Sequence, residues 1–194
     1  MFQRPVFCLL LAVLIAGICR SAHAQQNTIH DTLLNRYREY LFRTANPGEQ
    51  TVNKWIKELN DKGQWPDINY ADKDPGGWQL RTHLERLKDM AWAWSCTSAP
   101  HYHNTQLWTK INTALDHWLA NRYKSSNWWQ NEIGVPRWMR DIIILLRNDL
   151  TSDRLKQSKE VLSQLVVHED YVAGNLIWGA DLGLHYGALT GDDA

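Results

Sequence analysis

Leu107-Trp108-Thr109-Lys110-Ile111-Asn112-Thr113-Ala114-Leu115-Asp116-His117-Trp118-Leu119 carries apolar residues at 107, 108, 111, 114, 115, 118 and 119. Steps of three and four put these side chains on one stripe over three turns of an α-helix, whereas a strand would alternate. The same rhythm recurs on both sides. Upstream it runs through Leu33, Leu34, Tyr37 and Leu41, stops at Ala45-Asn46-Pro47-Gly48, and resumes in Val52, Trp55, Ile56 and Leu59. Leu80, Leu84, Leu87, Ala91 and Trp94 mark a third helix. Downstream, Trp138, Met139, Ile142, Ile143, Leu145 and Leu146 are apolar nearly all round, which predicts a buried helix. Ser152 is read as the N-cap of a sixth helix through Leu155, Leu162 and Leu165. The last runs from about Asn175 to Leu189, with Gly179, Gly183 and Gly187 as a stripe that another helix could approach closely; Asp181 and His185 argue against a membrane form of that motif. No stretch alternates with period two. The reading is all-α, and a core stripe on every helix of a run of antiparallel hairpins points to an α/α toroid or solenoid rather than a compact four-helix bundle.

The first residues read as a signal rather than as fold. Arg4, an apolar run from Val6 to Ile18, and Ala22-His23-Ala24 predict a secretory signal peptide over 1–24, cut before Gln25, too short for a membrane span. Ile18 before Cys19 is bulky where a lipidation site needs a small residue. The expected location is secreted or periplasmic. Loss of Arg4 and Arg20 leaves 19 basic against 21 acidic residues. That balance offers no electrostatic reason to expect nucleic acid or an anionic membrane surface. Cys8 and Cys19 leave with the signal, so Cys96 can form neither a disulfide framework nor a cysteine metal site. All eleven tryptophans remain, which raises the expectation of aromatic ligand contacts.

Two connections are longer than ordinary helix turns. Asn60 to Gly77 holds Trp65 and Tyr70 among Gly63, Pro66, Pro75 and Gly76. Arg122 to Gly134 holds adjacent Trp128 and Trp129, framed by Asn127, Gln130, Asn131 and Glu132. A tryptophan pair among amides and a carboxylate suits a sugar ring, whose C–H face lies on an aromatic while its hydroxyls meet polar groups. The alternative is a plug at a helix–helix corner, and this segment alone leaves both open.

The run Asn127-Trp128-Trp129-Gln130-Asn131-Glu132-Ile133-Gly134-Val135-Pro136 resembles the NWW-x-x-EI-x-x-P signature of polysaccharide lyase family 8, which acts on hyaluronan, chondroitin and xanthan. Lys110-Ile111, Ala114-Leu115-Asp116 and Trp118 resemble the family helix that leads into the motif, Gly63 to Tyr70 its earlier loop, and His83-Leu84 its following helix. Gly174-Asn175 followed by Ala188-Leu189-Thr190-Gly191-Asp192 resembles the segment with the family's active-site asparagine. Ala173-Gly174-Asn175 stands where the family shows Gly-Ala-Asn.

What the resemblance implies is β-elimination. Removing the C5 proton of a uronic acid builds charge beside a carboxylate, which must be hydrogen-bonded or neutralised while a base and an acid act on the sugar. By resemblance Asn175 is the catalytic carboxylate partner, and Asn127, Trp128 and Trp129 bind the chain, whose class is an acidic polysaccharide. Asn175 also reads as a helix N-cap, a role compatible with facing an anion. The family's catalytic histidine and tyrosine, and its arginines, lie further along than Ala194. The expectation implied by the resemblance is therefore an incomplete α/α toroid, the N-terminal part of a lyase over 25–194, inactive alone.

Other candidates are weaker. His101 and His103 lack a third ligand at metal spacing, so no metal and no cofactor are expected. Glu132 could serve a toroidal glycoside hydrolase as general acid, but no second carboxylate joins it; within the lyase reading it caps backbone N–H groups of the tryptophan loop. Tyr171, His185 and Tyr186 read as packing residues, His117 as a partnered histidine, and Asp67 as a turn residue. A non-catalytic carbohydrate-binding helical module and a purely structural scaffold are the remaining alternatives.

Overall fold

The computed structural model describes residues 29–191; the predicted signal segment 1–24 lies outside them. Seven helices follow in order: α1 (29–44), α2 (Glu49–Glu58), α3 (Arg81–Ser95), α4 (Thr105–Asn121), α5 (Val135–Leu146), α6 (Ser152–Leu162) and α7 (Ala173–Thr190). Among the described residues there is no strand, and no helix is long and apolar enough to cross a membrane.

The stripe that decides the fold is buried as its spacing requires. Leu107, Ile111, Ala114, Leu115 and Trp118 are fully enclosed on α4, whose first turn is capped by Asn104 Oδ1 accepting from Leu107 N at 3.0 Å. The all-round apolar helix α5 takes the centre, packed against α3, α6 and α7. The sixth helix starts one residue earlier than expected: Thr151, not Ser152, is its N-cap, through Oγ1 accepting from Arg154 N.

The long connection from 59 to 80 is a structural plug. Trp65 is completely buried and donates its indole N–H to Trp55 O at 3.1 Å. Trp65 N–H donates to the Tyr70 hydroxyl, which lies 3.0 Å from His83 Nδ1. His83 Nε2 is 3.0 Å from Ala114 O. A carbonyl only accepts, so Nε2 carries the proton, Nδ1 accepts, and the Tyr70 hydroxyl donates to it. Burial holds this neutral histidine's pKa down to about 3. Gly63 has φ +75, and a Cβ there would lie 2.4 Å from Thr113 O, so the loop's approach to α4 requires glycine.

Helix α7 is held on α5 by buried Arg140, which pairs with Asp141 and Asp181 and donates to Tyr37 on α1. Gly179 and Gly183 of the glycine stripe do not receive a helix. A Cβ on Gly179 would meet Tyr171, Val166 O and Val167, and one on Gly183 would meet Val167. These two glycines therefore seat the connection between α6 and α7, and that connection runs straight to the candidate site.

Candidate functional site

The expected loop 122–134 is partly helical. Trp128 and Trp129 form the first helical turn, followed by a π-helical turn, Gln130–Gly134, that runs into α5. Pro136 explains the widening. It cannot donate to the carbonyl four residues back, and its ring crowds that carbonyl in a regular helix. Instead Val135 N–H reaches Gln130 O, five residues back. Gly134 allows the tight wrap: a Cβ there would sit 3.0 Å from both Gln130 Oε1 and the Trp129 ring.

The entry is fixed by amides. Asn127 Oδ1 accepts from Trp129 N at 3.0 Å, and its Nδ2 donates to Pro75 O at 3.1 Å. Asn131 clasps both backbone groups of Ser125. The tryptophan turn is thereby tied to the 59–80 connection.

The two rings then diverge. Trp128 is 46% exposed, the largest opening of any tryptophan here, and its ring neighbour is Tyr171 at 5.5 Å and 30°. Trp129 is half-buried and meets Trp178 edge-on at 5.7 Å. Its indole N–H lies 3.2 Å from Asn175 Oδ1. The indole nitrogen is only a donor, so the amide oxygen faces it and both Nδ2 hydrogens point elsewhere. Arg137 stacks on Trp178 at 4.8 Å and forms no ion pair among the described residues. The sequence-predicted Trp129 and Asn175, forty-six positions apart, are thus brought into direct contact.

Two expectations are corrected. Asn175 is not the N-cap of α7: Val172 holds that position without a side-chain bond, and Asn175 is the third helical residue. The helix starts early because Ala173 adopts a left-handed φ of 50. The departure from Gly-Ala-Asn therefore puts alanine where glycine is unstrained. Glu132 does not cap backbone groups. Its Oε2 accepts from the Tyr171 hydroxyl at 2.9 Å and lies 3.4 Å from His168 Nε2. Desolvation first, then the Glu132 bond and charge, push the Tyr171 pKa up to about 12. Asp67, expected to be a turn residue, does lie in a turn, closed by Ile68 N donating to Trp65 O at 3.2 Å, and it also makes a two-pronged ion pair with Arg86 at 2.8 and 2.5 Å.

His117 behaves as a partnered histidine, 2.9 Å from the Tyr123 hydroxyl. His103 stacks on Trp94 at 4.6 Å, and no metal-ligating cluster occurs among the described residues. Sequence reading did not gather Tyr171, Trp178, Arg137 and His168 into one site, because none lies in the motif's amide and tryptophan core. A surface groove of about 400 Å³, lined by Leu155, Lys156, Lys159 and Tyr186, opens at the other end of α7, away from these groups.

Polysaccharide lyase family 8, N terminal alpha-helical domain, matches residues 21–182. Chondroitinase-AC of Pedobacter heparinus is 25% identical over 185 residues, covering 88% of this chain and 25% of the relative. Xanthan lyase of a Bacillus species (strain GL1) is 29% identical over 145 residues, covering 66% of this chain and 15% of the relative. A chondroitinase AC lyase structure, solved as oligosaccharide complexes, superposes with a TM-score of 0.75 at 23% identity, over 84% of this chain and 24% of that one. The chain spans about a quarter or less of the length of these relatives, and its fold is the α-helical toroid of their N-terminal domain. On the match across 21–182, the chain belongs to polysaccharide lyase family 8.

Proposed function

We propose that this chain supplies the sugar-stacking wall and the carboxylate-facing asparagine of an exported lyase that cleaves uronic-acid polysaccharides by β-elimination. The observation that carries the reading is the Trp129 Nε1–Asn175 Oδ1 contact at 3.2 Å. It turns the amide so that its two N–H donors are free for a uronate carboxylate. A neutral donor bonded to that carboxylate stabilises the charge that builds as C5 loses its proton. Position three of α7 adds the positive end of the helix dipole. Trp128 offers its exposed face to the sugar C–H groups, and Arg137 adds a cation for the polymer's anionic groups. Asn127 stands at the lip with one amide N–H left beyond its bond to Pro75 O. The family relatives named for chondroitin and xanthan support an acidic polymer as substrate, and the 1–24 segment supports a secreted or periplasmic site of action.

The test is a chimera in which residues 29–191 replace the matching part of chondroitinase-AC, assayed by ultraviolet absorbance of the unsaturated uronate product. Turnover in the chimera, its loss in Asn175→Ala, and none from this chain alone are the expected results. A well-folded chimera inert on chondroitin, hyaluronan and xanthan overturns the lyase reading. If this chain binds those polymers yet no chimera cleaves them, the carbohydrate-binding module takes its place; the exposed Trp128 face is the observation that favours it.

A further inference from the structure

Trp128 poses a physical problem. An indole that is 46% exposed has few neighbours to hold it, yet a sugar platform works best when its orientation is set before the ligand arrives. Its ring neighbour, Tyr171, belongs to the connection between α6 and α7 rather than to the helix that carries Trp128. Some contact must therefore join the two segments.

Glu132 makes that contact. It lies in the π turn directly after the tryptophan pair, and its Oε2 accepts from the Tyr171 hydroxyl at 2.9 Å. The same oxygen is 3.4 Å from His168 Nε2, and the His168 ring meets the Tyr171 ring edge-on at 4.9 Å. Lys124 also feels the Glu132 charge. On its other side the connection rests on α7, where Tyr171 and Val166 flank the bare backbone of Gly179. A hydroxyl bonded to a carboxylate is stronger than a neutral pair, so one oxygen fastens the segment that leads from Trp128's neighbour to Asn175.

We propose that Glu132 is a positioning residue for the saccharide wall: it holds Tyr171 against Trp128 and so sets the orientation of the exposed indole. It touches no sugar itself. The inference rests on the wall reading above, in that the orientation it sets matters for a saccharide.

The experiment uses the whole chain labelled with 5-fluorotryptophan, the Trp128 signal being assigned by Trp128→Phe. Fluorine spectra are recorded without ligand, and binding of a chondroitin hexasaccharide is then titrated. Glu132→Ala and Tyr171→Phe are expected to shift and broaden the Trp128 line. Each should weaken binding by about fivefold to tenfold, the size of one lost hydrogen bond, and the double variant should be no weaker than either alone. Glu132→Gln, whose amide oxygen accepts the same hydroxyl, should restore both line and affinity. If Glu132→Ala fails to fold, Tyr171→Phe reads the same contact, since it removes only the oxygen. A Trp128 line unmoved in Tyr171→Phe or in folded Glu132→Ala overturns the proposal. A line that moves as expected in a parent that binds no oligosaccharide upholds the contact while removing the sugar wall.

Discussion

The indole N–H of Trp129 points at the amide oxygen of Asn175, 3.2 Å away, and joins the tryptophan turn before α5 to the first turn of α7. Trp129→Phe keeps an aromatic ring but deletes the donor along with part of the indole. The fold should lose at least about 1 kcal/mol, the worth of one such hydrogen bond, with the lost ring contact to Trp178 adding to it, measured by urea unfolding. Asn175, freed to rotate, should lose part of its hold on a uronate, so oligosaccharide affinity should fall while Trp129→Ala falls further. Equal affinity in Trp129→Phe and the parent would show that the contact does not orient the amide.

The tryptophans divide by burial, and their substitution should divide the same way. Trp118 is fully enclosed, so Trp118→Ala should cost about 3–5 kcal/mol. Trp128 is nearly half exposed, so Trp128→Ala should cost well under half of that and act on saccharide binding instead. Paired denaturation and titration curves check both. A Trp128→Ala variant as destabilised as Trp118→Ala would make the ring a plug.

Ala173 sits at φ 50, where a Cβ is strained and glycine is not. Ala173→Gly should therefore raise stability by about 1 kcal/mol, or roughly 2–4 °C in melting temperature for a chain of this size. Gly174→Ala should be tolerated, because a Cβ there would meet the Trp178 ring at 3.4 Å, an ordinary contact. The double exchange, which restores the family's Gly-Ala-Asn order, should melt no lower than the parent in thermal scans.

His83 makes stability fall in acid. Its folded pKa is held down to about 3 by burial, against about 6.5 in an unfolded chain. Between those values the unfolded state binds the extra proton, so stability rises with pH across this window and is lost on the way down. The slope should reach about 1.4 kcal/mol per pH unit from this one group. Urea midpoints from pH 7 to pH 4 measure it. His83→Gln, although less stable at pH 7, should show a shallower decline.

Much of the fold was legible because its signals are local. The 3.6-residue stripe of α4 buries Leu107, Ile111 and Trp118 as its spacing requires, and the all-round apolar α5 lies at the centre. Boundaries slipped where backbone chemistry chooses among neighbours: Thr151 outcompetes Ser152 as a cap, and Ala173 begins α7 ahead of Asn175. The tryptophan motif showed which residues to watch but not their geometry. Its π turn follows from Pro136 and Gly134 acting together on the hydrogen-bond ladder, an effect that no period in the sequence displays.

By itself, then, the sequence determined an all-helical chain, a family, and the presence of a tryptophan pair in the family motif with an asparagine further along. Periodicity and motif depend on neighbours along the chain, and these are written in order. Only the tertiary structure decided that Trp129 meets Asn175, that Glu132 reaches Tyr171 rather than its own backbone, and that Trp65 is a plug while Trp128 is open. Those outcomes depend on how α5, α7 and two long connections pack. Burial and hydrogen-bond partners are properties of that packing, set by residues tens of positions away.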